Sequence, residues 1–195
     1  MECQTNKISN EQLSKMVREN NFPTNSLGLT MSYKYLSNIL HLNWSDLAFA
    51  IENKYLPHEA AIEHAMWKLE KDDYHQREMD LACFDDIEFK QLHSIHPYLD
   101  ELAKLESEEE KREAKDRIMY AVLRWVFEHK DEYEDPLHVV VFIYSDFGYP
   151  TMISHFITFM PESDVKDRRC LLSRWKDFLS EQSSKYLEHS LEDNK

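Results

Sequence analysis

Histidines and carboxylates at helical spacing are the first places to look for chemistry in this chain. "HEAAIEH", residues 58–64, opens like a zinc-protease helix, in which two histidines four residues apart share a face and a glutamate serves as base. The residue four after His58 is Ile62, and His64 falls on another face, so the motif fails. His93 and His96 stand three apart in "HSIH", near Glu88 and Asp100. Metal-binding helices use that spacing, but nothing nearby completes a ligand set, and the pair reads as ordinary histidines flanking a helix end. In "YSDFGYP", Tyr144, Asp146, Phe147 and Tyr149 gather around Gly148. A tyrosine and a carboxylate can move protons, yet no nucleophile, second carboxylate or pair of oxyanion-hole glycines accompanies them. A packed helix corner is the simpler reading, with Asp146 accepting backbone N–H groups of the next helix.

Glycine is scarce: Gly28 and Gly148 are the two in 195 residues. Phosphate-cradling loops and nucleophile elbows need more, so no cofactor is expected and an enzyme is disfavoured. The three cysteines, Cys3, Cys83 and Cys170, are odd in number and far apart. They offer neither a disulfide framework nor a metal knuckle. Cys83 and Cys170 fall among apolar helical positions and read as core residues. The N-terminus lacks the apolar segment of a signal peptide, and no stretch approaches the roughly 18 apolar residues of a membrane helix. A cytoplasmic location is expected.

The net charge of −14 is unevenly spread. Residues 1–69 carry 7 acids and 6 bases, residues 70–116 carry 16 and 7, and residues 117–195 carry 14 and 10. The middle segment, 70–116, is therefore at −9. Such a field disfavours nucleic acid and anionic membrane and favours a basic protein partner. The predicted partner-binding residues are Asp72, Asp73, Asp85, Asp86, Glu108 and Glu109 for steering, with Tyr74 and Phe89 as anchors. The run "EEEK" also has a plain explanation, because acids in a first turn complement the helix dipole and pair with bases one turn on. "KDRRCLLSRWK", residues 166–176, is locally basic and reads as an internal counterpart to the acidic middle.

These residues are positioned by helices. Ser9 caps a helix over 9–20, "NNFPTNSLGLT" is a loop, and Asn43 caps a helix in which Leu47, Ala50 and Ile51 recur at helical spacing. Pro57 starts the next helix, with stripes of Ala61, Ala65, Leu69 and of Ile62, Met66, Leu69, which gives a hairpin over 44–71. Residues 72–106 hold two or three short helices, with breaks near Asp85 and before Pro97. Ser107 and Glu110 form a capping box for a long helix whose wide apolar face includes Ile118, Val122, Trp125 and Val126. "VVVFIY" has strand composition, but Asp135 and Pro136 start a helix, Leu137, Val140, Val141 and Tyr144 keep helical spacing, and Gly148 ends it. A further helix is expected from Pro150 to Pro161. A last one begins near Ser163 or Asp164 and carries Leu171, Trp175, Phe178, Leu179 and Tyr186. The expectation is an all-α single domain over 1–195, an irregular bundle or a short solenoid-like stack of hairpins. An N-terminal helix and loop occupy 1–31, and 187–195 form a frayed tail.

Taken together, "LNWSDLAFAIENKYL", "RWVFEHKDEYEDPL" and "IYSDFGYP…FITFMP" resemble an uncharacterised family of small, acidic, helical proteins of Gram-positive bacteria, known as a domain of unknown function. The resemblance spans most of residues 32–180 and carries no catalytic residues over to this chain. By analogy with other small acidic bacterial proteins, it implies a toxin-immunity role. The expected function is a non-enzymatic binding module that masks a basic toxin domain. The alternatives are an enzyme assembled around His129, Asp146 and His155, and a structural subunit of a larger complex.

Overall fold

Caps fix where the helices begin. The structure, a computed structural model, describes residues 7–20, 22–72, 74–84, 95–159 and 168–192. Ser9 and Gln12 form a capping box on α1 (Asn10–Glu19), and Ser32 caps the short α2 (Tyr33–Ser37). Asn43 and Asp46 cap α3 (Trp44–Glu52) reciprocally. There follow α4 (Glu59–Glu70), α5 (Gln76–Ala82), α6 (His96–Lys104) and α7 (Glu108–Glu128). The C-terminal part holds a 3-10 turn at Lys130–Glu132, α8 (Pro136–Asp146), a 3-10 segment at Thr151–Phe156 and α9 (Arg168–Glu192). Among the described residues the one extended pairing is an isolated bridge between Ile8 and Tyr133. The fold is all-α.

"VVVFIY" is helical because its ends leave no other solution. The Asp135 carboxylate accepts the N–H groups of Leu137 and His138 at the start of α8. At the other end Gly148 takes a φ of 73°. Its N–H donates to the Ser145 carbonyl, and the Tyr149 N–H donates to the Tyr144 carbonyl. This is a Schellman closure, which needs the left-handed conformation that glycine adopts without penalty. Leu137, Val139, Val140, Ile143 and Tyr144 are buried, and each such side chain recovers about 1.5–3 kcal/mol. That outweighs the few tenths of a kcal/mol by which β-branching disfavours a helix (about 0.5 per residue).

The chain packs as two compact units, Thr30–Ile118 and Met1–Leu29 with Met119–Lys195. In the first, α3 packs on α6, α4 on α5, α5 on α6, and α2 and α3 on α4. Its core holds Leu47, Ala50, Ile51, Leu81, Leu99 and Leu102, and alanines 60, 61 and 65 let α4 approach its neighbours closely. In the second unit α9 packs on the 3-10 segment. There Trp175 is fully buried, with its ring parallel to that of Phe156 and edge-on to that of Phe127. Leu171, Phe178, Leu179 and Tyr186 of α9 are also buried, as expected. Every residue from Ile118 to Leu123 of α7 is buried, so that stretch has no solvent face.

Several expectations need correction. Helix α4 begins at Glu59, because Pro57 and His58 form a turn ahead of it, with the Pro57 carbonyl accepting from Ala60. The segment after Pro150 is a 3-10 helix, Thr151–Phe156, ending where Ile157 turns extended. Cys83 is exposed and Cys170 half-buried, so neither is a core residue. In α5 the buried side chains are Glu78 and Leu81, which turns Met79 and Cys83 outward. Asp146 does not cap the next helix. It accepts the backbone N–H and hydroxyl of Ser26, each at 2.9 Å. Of the basic stretch, Arg168 pairs with Asp135 and Arg174 donates to the His155 carbonyl, so these two bases serve their own unit rather than the acidic middle. The expected break near Asp85 and the start of the last helix near Ser163 lie outside the described residues.

Candidate partner-binding site

The α4–α5 hairpin has two different faces. Its inner side is closed by Ala60, Ala61, His64 and Ala65 of α4, all buried. On the outer side Glu59, Glu63, Met66, Trp67 and Glu70 are exposed, at offsets that place them along one stripe of a helix. The expected apolar stripe through Met66 is therefore wrong: Met66 is 52% exposed. After α4 the chain turns through Asp72, whose φ of 56° is one that aspartate tolerates better than most residues. Tyr74 and Met79 come next, 48% and 41% exposed. Four large apolar side chains, Met66, Trp67, Tyr74 and Met79, thus face solvent from one hairpin that also exposes Glu59, Glu63, Glu70 and Asp72, with Lys71 an exposed base beside them.

A buried polar cluster holds this hairpin against α3. The Trp44 indole N–H donates to Glu78 at 2.6 Å, and the second Glu78 oxygen accepts the His75 N–H that starts α5. Glu106 accepts the N–H groups of Trp44 and Ser45, at 2.5 and 2.9 Å, together with the Ser45 hydroxyl. A carboxylate at the N-terminus of α3 is favoured by the free N–H groups and the dipole there. Asp46, wholly buried, accepts from Arg117 at 2.7 Å, and Arg117 reaches Glu113 and the Glu110 carbonyl as well. Burial raises the Asp46 carboxyl to about 7, against the pull of Arg117 and the Asn43 N–H.

His64 lies within the same unit. Its Nδ1 is 3.0 Å from the Tyr33 hydroxyl, and its ring meets Trp44 edge-on and stacks on Trp67. Burial, with Lys68 and His41 adding to it, lowers the His64 pKa to about 3. Burial and Glu63 push Tyr33 up to about 12. The imidazole is neutral and the phenol protonated at neutral pH, so Tyr33 can donate to Nδ1.

The predicted partner-binding residues fall into two groups. Asp72 and Tyr74 sit exposed in the α4–α5 turn. Glu108 and Glu109 are exposed in the first turn of α7, beyond α5 and α6, with Glu108 paired to Lys111 at 2.8 Å. Asp73, Asp85, Asp86 and Phe89 lie outside the described residues. Other acids of residues 70–116 are engaged internally: Glu78 and Glu106 in the polar cluster, Glu110 in the Ser107 capping box, and Asp80 and Glu101 with Arg77. Sequence reasoning missed Trp67, although Glu59, Glu63 and Glu70 at helical intervals mark the solvent stripe on which it falls.

Each residue of the enzyme alternative has local partners of its own. His129 bonds the Trp125 carbonyl and stacks on the Trp125 ring, Asp146 holds Ser26, and His155 packs on Phe156. A shallow groove of about 250 Å³ between α7 and α9 is lined by Arg124, Phe127, Glu128, Lys176, Leu179, Ser180 and Ser183, none of which belongs to that set. His96 packs edge-on against His58. Among the described residues no three His, Cys, Asp or Glu side chains converge as metal ligands would. No described helix is long and apolar enough to cross a membrane.

The profile of one protein family matches residues 33–183. This chain belongs to the DUF2247 family, described as an uncharacterized protein conserved in bacteria. The match runs from the start of α2 into α9 and so includes the hairpin, the polar cluster and the Schellman corner. No curated protein and no solved structure matches the chain.

Proposed function

We propose that this DUF2247 protein is a non-enzymatic, cytoplasmic binding module that takes a basic protein partner on the acidic face of the Thr30–Ile118 unit. Its biological form, on this reading, is an immunity protein of a Gram-positive bacterium that masks a basic toxin domain. The observation that carries the proposal is the α4–α5 hairpin, with Met66, Trp67, Tyr74 and Met79 exposed among acids. Stable interfaces combine apolar anchors with a polar, charge-complementary rim, and both are present on this element. Acidity supplies the steering and the choice of partner sign.

The test is affinity capture of the tagged full chain from its host lysate at low salt, in parallel with a variant carrying Glu63→Lys, Glu70→Lys and Asp72→Lys. One stoichiometric basic protein, released by salt and absent from the variant's capture, is the expected result. A capture identical for wild type and variant, or one dominated by acidic proteins, contradicts the proposal.

A further inference from the structure

Resting on the α4–α5 hairpin as the docking surface, we propose that Trp67 is the anchor of that surface. It receives an arginine side chain of the partner, with Glu63 and Glu70 flanking the guanidinium. Three observations point there.

The first is how Trp67 is held. Its ring stacks on His64, with centroids 5.5 Å apart and planes at 26°, and meets His41 edge-on. It is nevertheless 36% exposed. A large aromatic ring fixed by its neighbours and still open to solvent has little entropy left to lose on binding. Tryptophan is also among the residue types that carry most interface energy.

The second is which carboxylates remain available. Glu106 and Glu78 serve the polar cluster, Glu108 holds Lys111, and Asp80 and Glu101 hold Arg77. Glu63 and Glu70 are exposed and have no ion-pair partner among the described residues. They stand four residues before and three after Trp67, each about one turn away on the same face.

The third is the match of chemistry. An aromatic face between two carboxylates favours a planar cation that can stack and donate in its plane at once. Arginine does both, whereas lysine is a compact, strongly hydrated charge that gains less from stacking.

The test uses the full chain and two probes, hexa-arginine amide and hexa-lysine amide, titrated by calorimetry at low salt. The arginine peptide is expected to bind about 3-fold tighter or more. Trp67→Leu should weaken it about 10-fold and remove the difference between the peptides. Trp67→Phe keeps a ring over His64 and should fall between the two, which decides the matter where the leucine variant loses its fold. Glu63→Gln with Glu70→Gln should weaken both peptides. Equal affinity for the two peptides, or wild-type affinity in both Trp67 variants, overturns the inference. In that event a salt-dependent loss in the Glu63/Glu70 variant would leave the docking surface itself standing. Peptide binding insensitive to salt and to both glutamates would overturn the surface along with the anchor.

Discussion

His64 sits against Tyr33, Trp44 and Trp67, and burial there holds its pKa down at about 3. A histidine lowered in the folded state and near 6.5 when unfolded contributes stability that is complete above about pH 6.5 and is lost as pH falls toward 3. In His64→Gln that loss should vanish. The stability difference between wild type and variant should shrink by about 1.4 kcal/mol per pH unit below about pH 6.5, measured by urea unfolding at a series of pH values. Arg117 gives a second prediction, in a higher pH range. Arg117→Met leaves the Asp46 carboxylate buried without its cation, at a cost of about 3–5 kcal/mol well above neutral pH, where Asp46 is ionised. Asp46 is already raised to about 7, and removing the cation raises it further, so the variant protonates Asp46 at a higher pH than wild type and the cost should ease as pH falls toward neutrality. A flat profile for this variant would mean that Asp46 does not titrate in the fold. Neither residue announces itself in the sequence. Arg117 stands one turn from Glu113, which reads as a surface pair, and only the fold brings Asp46 of α3 to it. Glu106 is similar: one more acid in an acidic run by sequence, it is the side chain that closes the N-terminus of α3.

Helix ends are the most legible feature, because capping chemistry is local. Ser9, Asn43, Ser107 and Asp135 begin helices as their residue types require, and Gly148 ends α8 in the left-handed conformation. Replacing Gly148 by alanine should cost about 1–2 kcal/mol, read as a lower urea midpoint with an unchanged m-value. Helix faces are less legible. Hydrophobicity alone places Met66 and Met79 inward, yet both are exposed, while His64 and Glu78 take inner positions because hydrogen-bond partners await them. A polar side chain can be buried once its partner is in place, and those partners come from α2 and α3, outside the window in which periodicity is read. The 3-10 winding of Thr151–Phe156 is hidden for a related reason, since composition does not separate one short helical form from another.

Across the whole chain, the charge of −14 conceals a division of labour. Some acids are structural, in the cluster around α3, and others are solvent-facing on α4 and in the turn at Asp72. Charge steering acts chiefly on the association rate and is screened over about 10 Å at 0.1 M salt. Raising salt should therefore slow association with the basic partner more than it speeds dissociation, as surface plasmon resonance can separate. Hydrogen exchange on the full chain, with and without the protein retained by affinity capture, tests the docking surface itself. The expected result is slowed exchange concentrated in residues 59–82, which would place the partner on the α4–α5 hairpin. Protection confined to residues 119–159 or 168–192, with the hairpin unchanged, would contradict it.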